Sequence, residues 1–201
     1  MKQRILRRLD RHVFSKWRAL LTVIRGTNVR RWAKNIHEVP TWDSRNRVIA
    51  ALVPPGITVM DIGAGAQTMR QHLKGIALYT PCDLFPTTPD TLICDFNRGI
   101  LPQVPKVHDL AICSGILEYV VDPDSFFKFV TAWNRGIILS YNVRLAGDSK
   151  VDRLAKDWVN HFTLEEIREI AGQHGWRVAK EIHSNPHIPQ EMVFLLEPVS
   201  A

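Results

Sequence analysis

The chain has 201 residues, of which 45% are hydrophobic and 23% are charged. These proportions are close to the average for globular proteins, and they exclude a collagen-like, an intrinsically disordered or a disulfide-rich chain. The length suffices for one domain of ordinary size with its own hydrophobic core and some residues to spare.

Positive charge is concentrated at the amino end of the chain, whose formal net charge is +6. Residues 1–50 contain 13 Lys or Arg and three Asp or Glu, a net charge of +10, whereas residues 51–201 contain 13 basic and 17 acidic residues, a net charge of −4. The basic character therefore belongs to a local segment. It predicts an anionic partner for that segment: lipid head groups, nucleic acid or an acidic protein.

The first predicted element is a basic amphipathic helix over residues 5–24, ended by Gly26. Its apolar stripe is Leu6, Leu9, Val13, Trp17, Leu20 and Ile24. Its polar side is Arg8, Arg11, Ser15, Arg18, Thr22 and Arg25. A stripe of this kind ordinarily packs on the body of the domain, and the alternative is a helix that lies in a membrane interface or on a partner.

A second helix is predicted over residues 42–52, with Asp43 or Ser44 as its N-cap and Pro54-Pro55-Gly56 as its end. We therefore divide the chain into a basic helical extension or cap, residues 1–53, and a domain, residues 54–201.

Beyond residue 56 short apolar runs alternate with helical segments, which is typical of a βαβ sheet. Strands are predicted over 57–62, 76–82, 91–94, 108–113, 136–141, 176–183 and 191–197. Helices are predicted over 66–74, 123–133 and 164–174, the last opened by a capping box of Thr163 and Glu166. The expected fold is α/β, a doubly wound Rossmann-like sheet of seven strands with an amino-terminal helical extension.

The first predicted strand ends in Asp61 and runs into Gly63-Ala64-Gly65. Glycines let the backbone bend tightly and approach a ligand, and the amino end of a following helix offers free N–H groups. Asp83 follows 22 positions after Asp61, at the end of the next strand, where a carboxylate can accept from ribose hydroxyls. These features fit a dinucleotide or S-adenosylmethionine.

The third glycine of a dinucleotide fingerprint is missing, because Thr68 occupies its place. An acid just before the glycines also suits the ammonium of a methionine moiety better than a pyrophosphate. The segment resembles motif I, Asp-x-Gly-x-Gly, of class I S-adenosylmethionine-dependent methyltransferases, and the resemblance extends over about residues 57–197. It is nearest to bacterial enzymes of the small-molecule and glycan type.

Three further segments keep the order of that family: residues 79–83, 94–97 and 109–119 with Asp122-Pro123. The resemblance implies S-adenosylmethionine as cofactor, with a ribose-binding acid at Asp83 and an adenine-binding turn at Asp95 and Phe96. The implied cofactor-binding residues are Asp61, Gly63, Ala64, Gly65, Asp83, Leu84, Asp95, Phe96, Ser114 and Gly115. The chain departs from the family where only seven residues separate Asp83 from Thr91, too few for a helical crossover.

Candidate catalytic residues lie near the ends of the fourth and fifth strands, where the family places its acceptor pocket. They are Glu118 and Tyr141, with Tyr119 and Asn142 beside them in the expected pocket wall. His161, in Asn160-His161-Phe162, resembles a segment of bacterial relatives and is either a general base or substrate ligand, or a loop histidine bonded to nearby backbone. Trp42, Arg45 and His37 have two interpretations. Either they cover the pocket from its amino-terminal side, or they are only packed and solvated side chains.

The predicted function is methyl transfer from S-adenosylmethionine to a hydroxyl of a small molecule or a lipid-linked glycan, reached at a membrane surface through residues 1–34. An RNA methyltransferase and a non-catalytic S-adenosylmethionine-binding partner are the alternatives, with nucleic acid the weaker partner because no RNA-binding motif is found. Cys82, Cys94 and Cys113 are expected to be buried free thiols, and no metal site is expected at His183 and His187. We expect a cytoplasmic protein that is peripheral on the inner face of a membrane.

Overall fold

Seven strands form one sheet in the order β3-β2-β1-β4-β5-β7-β6. The computed structural model describes residues 2–26, 32–33 and 42–199, with side chains from residue 13 onward. The strands are β1 (Thr58–Ile62), β2 (Leu78–Asp83), β3 (Leu92–Ile93), β4 (Leu110–Ser114), β5 (Ile137–Asn142), β6 (Trp176–His183) and β7 (Glu191–Pro198). Strands β1 to β5 pair in parallel, and β7 is antiparallel to both β5 and β6. The predicted seven-stranded α/β fold is confirmed.

The helices of the described residues are α1 (Lys2–Arg25), α2 (Asp43–Ala50), α3 (Pro123–Trp133), α4 (Lys150–Leu154) and α5 (Leu164–Gln173). Two of the predicted helices begin with the caps that their sequences encode. The Asp122 side chain accepts from Ser125 N, with Pro123 in the first turn of α3. Thr163 and Glu166 form the predicted capping box at the start of α5.

Both faces of the sheet are covered, because consecutive side chains of a strand point to opposite faces. Met60 of β1 belongs to a large core cluster with Phe126 of α3. Its neighbour Val59 belongs to a second cluster on the other face with Ile49 of α2. Covering both faces explains why β1 and its neighbours are continuous apolar runs.

The predicted helix over 66–74 is wrong, because only a 3-10 turn, Thr68–Gln71, follows the glycines. Gln67, just before it, has a left-handed backbone with φ of 56°. Its Nε2 donates to the hydroxyls of Thr87, Thr88 and Thr91. The Gln67 side chain is thereby fixed to the β2–β3 loop, and its left-handed backbone cannot belong to a continuous α-helix.

Three smaller expectations also differ. Helix α2 starts after Trp42, and no side chain caps its first turn. Asp43, one of the two predicted N-caps, lies inside the helix and pairs with Arg47 at 2.8 Å. The strand predicted over 91–94 is only two residues long. The short helix α4 was not predicted, although the Ser149 side chain caps it by accepting from Asp152 N.

Helix α1 packs against α4 through its small and polar side, so the expectation that its apolar stripe covers the body is wrong for the described side chains. Ala19 and Thr22 are only 5% and 3% exposed. Thr22 Oγ1 donates to Leu154 O at 2.8 Å, and Arg18 pairs with Asp157 at 3.7 Å. The stripe residues from Val13 onward are exposed, and Leu6 and Leu9 lie outside the described side chains.

Within the described part of the chain, no helix is long and apolar enough to cross a lipid bilayer. The division of the chain at residue 53 stays a prediction.

Candidate functional site

A cavity of about 190 Å³ lies at the carboxyl ends of β1, β2 and β4. The strand order reverses between β1 and β4. Open α/β sheets bind ligands at such a reversal, because the connections leave toward opposite faces and open a crevice. The position of the cavity therefore follows from the topology.

All ten residues that the sequence predicted to bind a cofactor line this cavity. They are Asp61, Gly63, Ala64, Gly65, Asp83, Leu84, Asp95, Phe96, Ser114 and Gly115. The structure thus brings together side chains and turns from four separate segments. Their contact with a cofactor remains a prediction.

The glycine turn is held by backbone hydrogen bonds to the neighbouring strand, because Gly63 N and Ala64 N both donate to Cys82 O. Gly63 has a φ of 78°, and a Cβ there would lie 3.0 Å from Ile116 Cδ1. A side chain at Gly63 would thus be strained in its backbone and crowded by Ile116. At Gly65, with φ of 53°, no atom lies within 4 Å of a Cβ position, so the space above the turn is free.

Asp83 connects the glycine turn to the second strand. Its Oδ2 accepts from Gly65 N at 2.8 Å, and its Oδ1 accepts from Phe85 N at 3.1 Å. Burial raises the pKa of Asp83, and the hydrogen bonds from Phe85 N and Gly65 N oppose that shift. A carboxylate has about four lone-pair sites, so Asp83 can also accept from a hydroxyl donor in the cavity.

Asp61 is buried at the floor of the cavity, where Tyr79 Oη donates to its Oδ2 at 2.5 Å. Burial raises the pKa of Asp61 to about 7, the Tyr79 hydrogen bond lowers it, the charge of Asp83 raises it and that of Arg45 lowers it. A buried carboxyl that titrates near neutrality gains most from a cationic ligand, which would favour its ionised form.

The third acid, Asp95, caps the 3-10 turn Phe96–Arg98, since its Oδ1 accepts from Asn97 N and Arg98 N. The ring of Phe96 is held edge-on by Phe126, with 5.0 Å between ring centroids. Both residues are therefore fixed in place before any ligand arrives.

Arg45, from α2, lies against the carboxyl end of β4. Its guanidinium is buried and pairs with Glu191 of β7 through Nη1 and Oε1 at 3.5 Å, and its Nε has no hydrogen-bond partner. A Cβ at Gly115 would lie 2.8 Å from Arg45 Nη1, so glycine is required for this close approach. Ser114 also has a buried hydroxyl, and this hydroxyl lacks a hydrogen-bond partner. Both residues line the cavity.

Aromatic side chains stand on the amino side of the cavity. Trp32 packs against Trp42 at 6.4 Å and edge-on against Tyr119 at 4.8 Å between ring centroids. Trp42 and Arg45 line the cavity, as one of the two interpretations of the sequence expected, whereas His37 lies outside the described residues. No local sequence signal pointed to Trp32, since its contacts are with residues distant in the chain.

The three candidate catalytic residues do not line the cavity. Glu118 is buried behind it, where its Oε1 accepts from Asn142 N and Nδ2, and burial raises its pKa. Tyr141 is fully buried, and its hydroxyl accepts from Phe162 N at 3.0 Å. His161 Nδ1 accepts from Arg153 Nε at 3.3 Å, and burial together with the charge of Arg153 lowers its pKa.

Other lining residues were not predicted from the sequence as site residues. They are Asn46, Ala66, Thr68, Met69, Phe85, Cys94, Asn97, Ile116 and Val120. Several directly follow a predicted site residue in the chain, which is the signal that would have found them. Asn46 and Met69 carry no such signal, because they reach the cavity only by packing.

The three cysteines are free and buried, as expected. Sγ of Cys82 lies 2.7 Å from Sγ of Cys94. Among the described side chains, no three His, Cys, Asp or Glu residues are grouped as a metal site requires.

No protein-family model and no curated protein matches this chain. Solved structures, in contrast, do match this chain. A chain in the complex of the Haloferax volcanii Trm112 methyltransferase activator with the putative methyltransferase has a TM-score of 0.66 and 16% identity, over 93% of this chain and 98% of that one.

Two further structures contain S-adenosylhomocysteine. The Burkholderia thailandensis 1,6-didemethyltoxoflavin-N1-methyltransferase has a TM-score of 0.65 and 14% identity, over 86% of this chain and 85% of that one. CalO1, a methyltransferase in calicheamicin biosynthesis, has a TM-score of 0.56 and 17% identity over 77% of this chain, which spans 54% of that protein. At these identities the likeness shows the fold.

Proposed function

Because this chain has the fold of class I methyltransferases, we propose that it binds S-adenosylmethionine in this cavity and transfers its methyl group to a hydroxyl of a small-molecule or glycan acceptor. One observation carries the proposal. The glycine turn after β1 and the acid that ends β2 are joined by the hydrogen bond from Gly65 N to Asp83 Oδ2. Together they form the two walls that a nucleoside bound to a methionine moiety requires.

The residues present fit that group. Asp61 offers a buried carboxylate for the methionine ammonium, and Asp83 has lone pairs free for the ribose hydroxyls. Ser114 and Gly115, at the end of β4, line the cavity opposite the β2 side. Above Gly65 no protein atom occupies the space that a side chain would fill, so a ligand can approach the backbone.

When bound, S-adenosylmethionine supplies a methyl group already activated on a sulfonium. The protein then has to orient the donor and the acceptor in line and exclude water. Asp61, Asp83 and Phe96 would hold the two ends of the donor. Trp32, Trp42 and Tyr119 would cover the acceptor side, because aromatic faces bind the apolar faces of sugars and flat small molecules.

Glu118, Tyr141 and His161 then act as positioning residues. They hold the β5 end and the segment around Asn160, whose Nδ2 donates to Leu117 O and Val120 O beside the cavity. A dedicated base is optional when the donor is this reactive.

One of the similar structures, the 1,6-didemethyltoxoflavin-N1-methyltransferase, contains a small molecule, 1,6-didemethyltoxoflavin, and this supports a small acceptor. The predicted contact of residues 1–34 with a membrane surface remains part of the proposal, and the exposed face of α1 supports it.

The test is incubation of the purified chain with methyl-labelled S-adenosylmethionine and fractionated cell extract. We expect label in lipid-linked sugar or small metabolites, and no label with the Asp83→Ala variant. Label in RNA would show that the acceptor is a nucleic acid instead. If no fraction accepts label while the chain still binds S-adenosylhomocysteine, the protein binds the cofactor without catalysing transfer.

A further inference from the structure

We propose that one face of helix α1 docks the protein on an anionic lipid bilayer. This outer face consists of Val13, Phe14, Trp17, Leu20, Val23 and Ile24. Each of these side chains is between 49% and 68% exposed. Large apolar side chains exposed together on one face of a helix mark an interaction site.

The orientation of α1 is fixed by contacts on its opposite side. Thr22 Oγ1 donates to Leu154 O, and Arg18 pairs with Asp157. With 100° between successive residues of a helix, Thr22 lies about opposite Val13 and Ile24 on the helix surface. The body therefore holds α1 by its small polar side and presents the apolar side outward.

The charge around the outer face favours lipid over protein as the occupant. From Val13 to Gly26 the sequence contains Lys16, Arg18 and Arg25 and no Asp or Glu. Lys16 and Arg25 are exposed. At 100° per residue Lys16 lies between Leu20 and Val23, and Arg25 lies at the edge of the outer face beside Phe14. Protein interfaces are depleted of lysine, whereas a helix lying in a bilayer surface combines Trp, Phe and Leu with a basic border that pairs with anionic head groups.

The helix ends beside the cavity. A Cβ at Gly26, which follows α1, would lie 3.7 Å from Val121 Cγ2. Val121 is exposed and directly follows Tyr119 and Val120, which line the cavity. Docking through the outer face would therefore bring the cavity mouth near the lipid surface. This inference rests on the membrane contact included in the proposed function and names its surface and lipid class, but it does not depend on the proposed reaction.

Sedimentation of the full chain with vesicles tests this inference. We expect binding to an equimolar mixture of phosphatidylglycerol and phosphatidylcholine, and weaker binding to phosphatidylcholine alone. Replacing Phe14, Trp17 and Leu20 together by Ser should lower the partition coefficient about tenfold or more. The matched control replaces exposed aliphatic residues elsewhere, Ile93, Val107 and Val199, by Ser and should bind as the unmodified chain does.

A second pair of variants tests the charge contribution without touching the apolar residues. Lys16→Ser and Arg25→Ser should each weaken binding to the anionic vesicles about fivefold. Affinity for S-adenosylhomocysteine, measured by calorimetry, should be unchanged in all of these variants, which separates lost docking from misfolding and from a failure of the proposed function.

Three results would overturn the inference. The first is an unmodified chain that does not sediment with anionic vesicles, and the second is a triple Ser variant that still binds them fully. The third is a dimer in light scattering that the triple Ser variant dissociates, without vesicle binding, because the outer face would then be covered by a second copy.

Discussion

Tyr79 and Asp61 meet across the paired strands β1 and β2, where the tyrosine hydroxyl donates to Asp61 Oδ2 at 2.5 Å. Asp61 lines the cavity together with the glycine turn that follows it. Burial raises the pKa of Asp61 to about 7, and the tyrosine hydrogen bond restrains that rise. The charge available to a cationic ligand is therefore set by a residue that does not itself line the cavity.

This pair predicts how cofactor affinity depends on pH. The ammonium of the ligand binds the ionised form of Asp61, whose pKa is about 7. Affinity for S-adenosylhomocysteine should therefore be highest above this pKa and fall as the pH decreases through it. The limiting slope is about tenfold per pH unit. Calorimetric titrations between pH 6 and pH 8 measure this dependence.

The variants of the same pair supply the controls. Tyr79→Phe removes the hydrogen bond that lowers the pKa of Asp61, so the midpoint should move to higher pH. Asp61→Asn should bind more weakly and with no dependence on pH in this range. An unchanged midpoint in Tyr79→Phe would show that Asp61 is not the titrating group.

Asp83→Ala should lower affinity for S-adenosylhomocysteine at least about tenfold, since it removes the ribose acceptor and leaves Gly65 N without its partner. Calorimetry measures the loss. Asp124→Ala removes an exposed carboxylate of α3, far from the cavity lining, and should bind as the unmodified chain does. Equal affinities in the two variants would refute the assignment of the ribose site.

Gly63→Ala should lower the free energy of unfolding by about 1–2 kcal/mol, because its φ is left-handed and the new Cβ would meet Ile116. Gly172→Ala is the matched control. It lies in α5, no atom is within 4 Å of its Cβ position, and alanine should stabilise the helix by about 0.5–1 kcal/mol. Urea unfolding of both variants checks the opposite signs.

Arg45→Leu should destabilise the protein by about 3–5 kcal/mol, because it leaves Glu191 buried without its cationic partner. It should also raise the pKa values of Asp61 and Glu118, which the charge of Arg45 lowers. In a double-mutant cycle with Glu191→Gln, the combined variant should lose less than the sum of the single losses. Additive losses would show that the two side chains do not interact.

Tyr141→Phe and His161→Gln test positioning against catalysis. Tyr141→Phe leaves the Phe162 amide without its acceptor and should lower the free energy of unfolding by about 1–3 kcal/mol. In both variants kcat should fall less than the roughly hundredfold minimum expected for loss of a general base. A larger loss of kcat with unchanged stability would make the residue catalytic. Urea unfolding and methyl-transfer assays on the same preparations distinguish the outcomes.

Local signals determined the strands and the capping box at the start of α5. Hydrophobic periodicity and the spacing of Thr163 and Glu166 act within a few residues, so the sequence alone reveals them. The ten residues now gathered at the cavity were implied by the resemblance of short motifs to a methyltransferase family. The order of the strands in the sheet was not predicted from the sequence.

Tertiary contacts decided the rest. The helix predicted after the glycines is replaced by a 3-10 turn where Gln67 bonds to threonines of another loop. Arg45 meets Glu191 from the far end of the chain, and Glu118, Tyr141 and His161 turn to partners behind the cavity. Periodicity gives a helix two faces, but which face is covered depends on the surface it meets. For α1, the hydrogen bonds and ion pair of Thr22 and Arg18 with the body decided that the apolar face remains exposed.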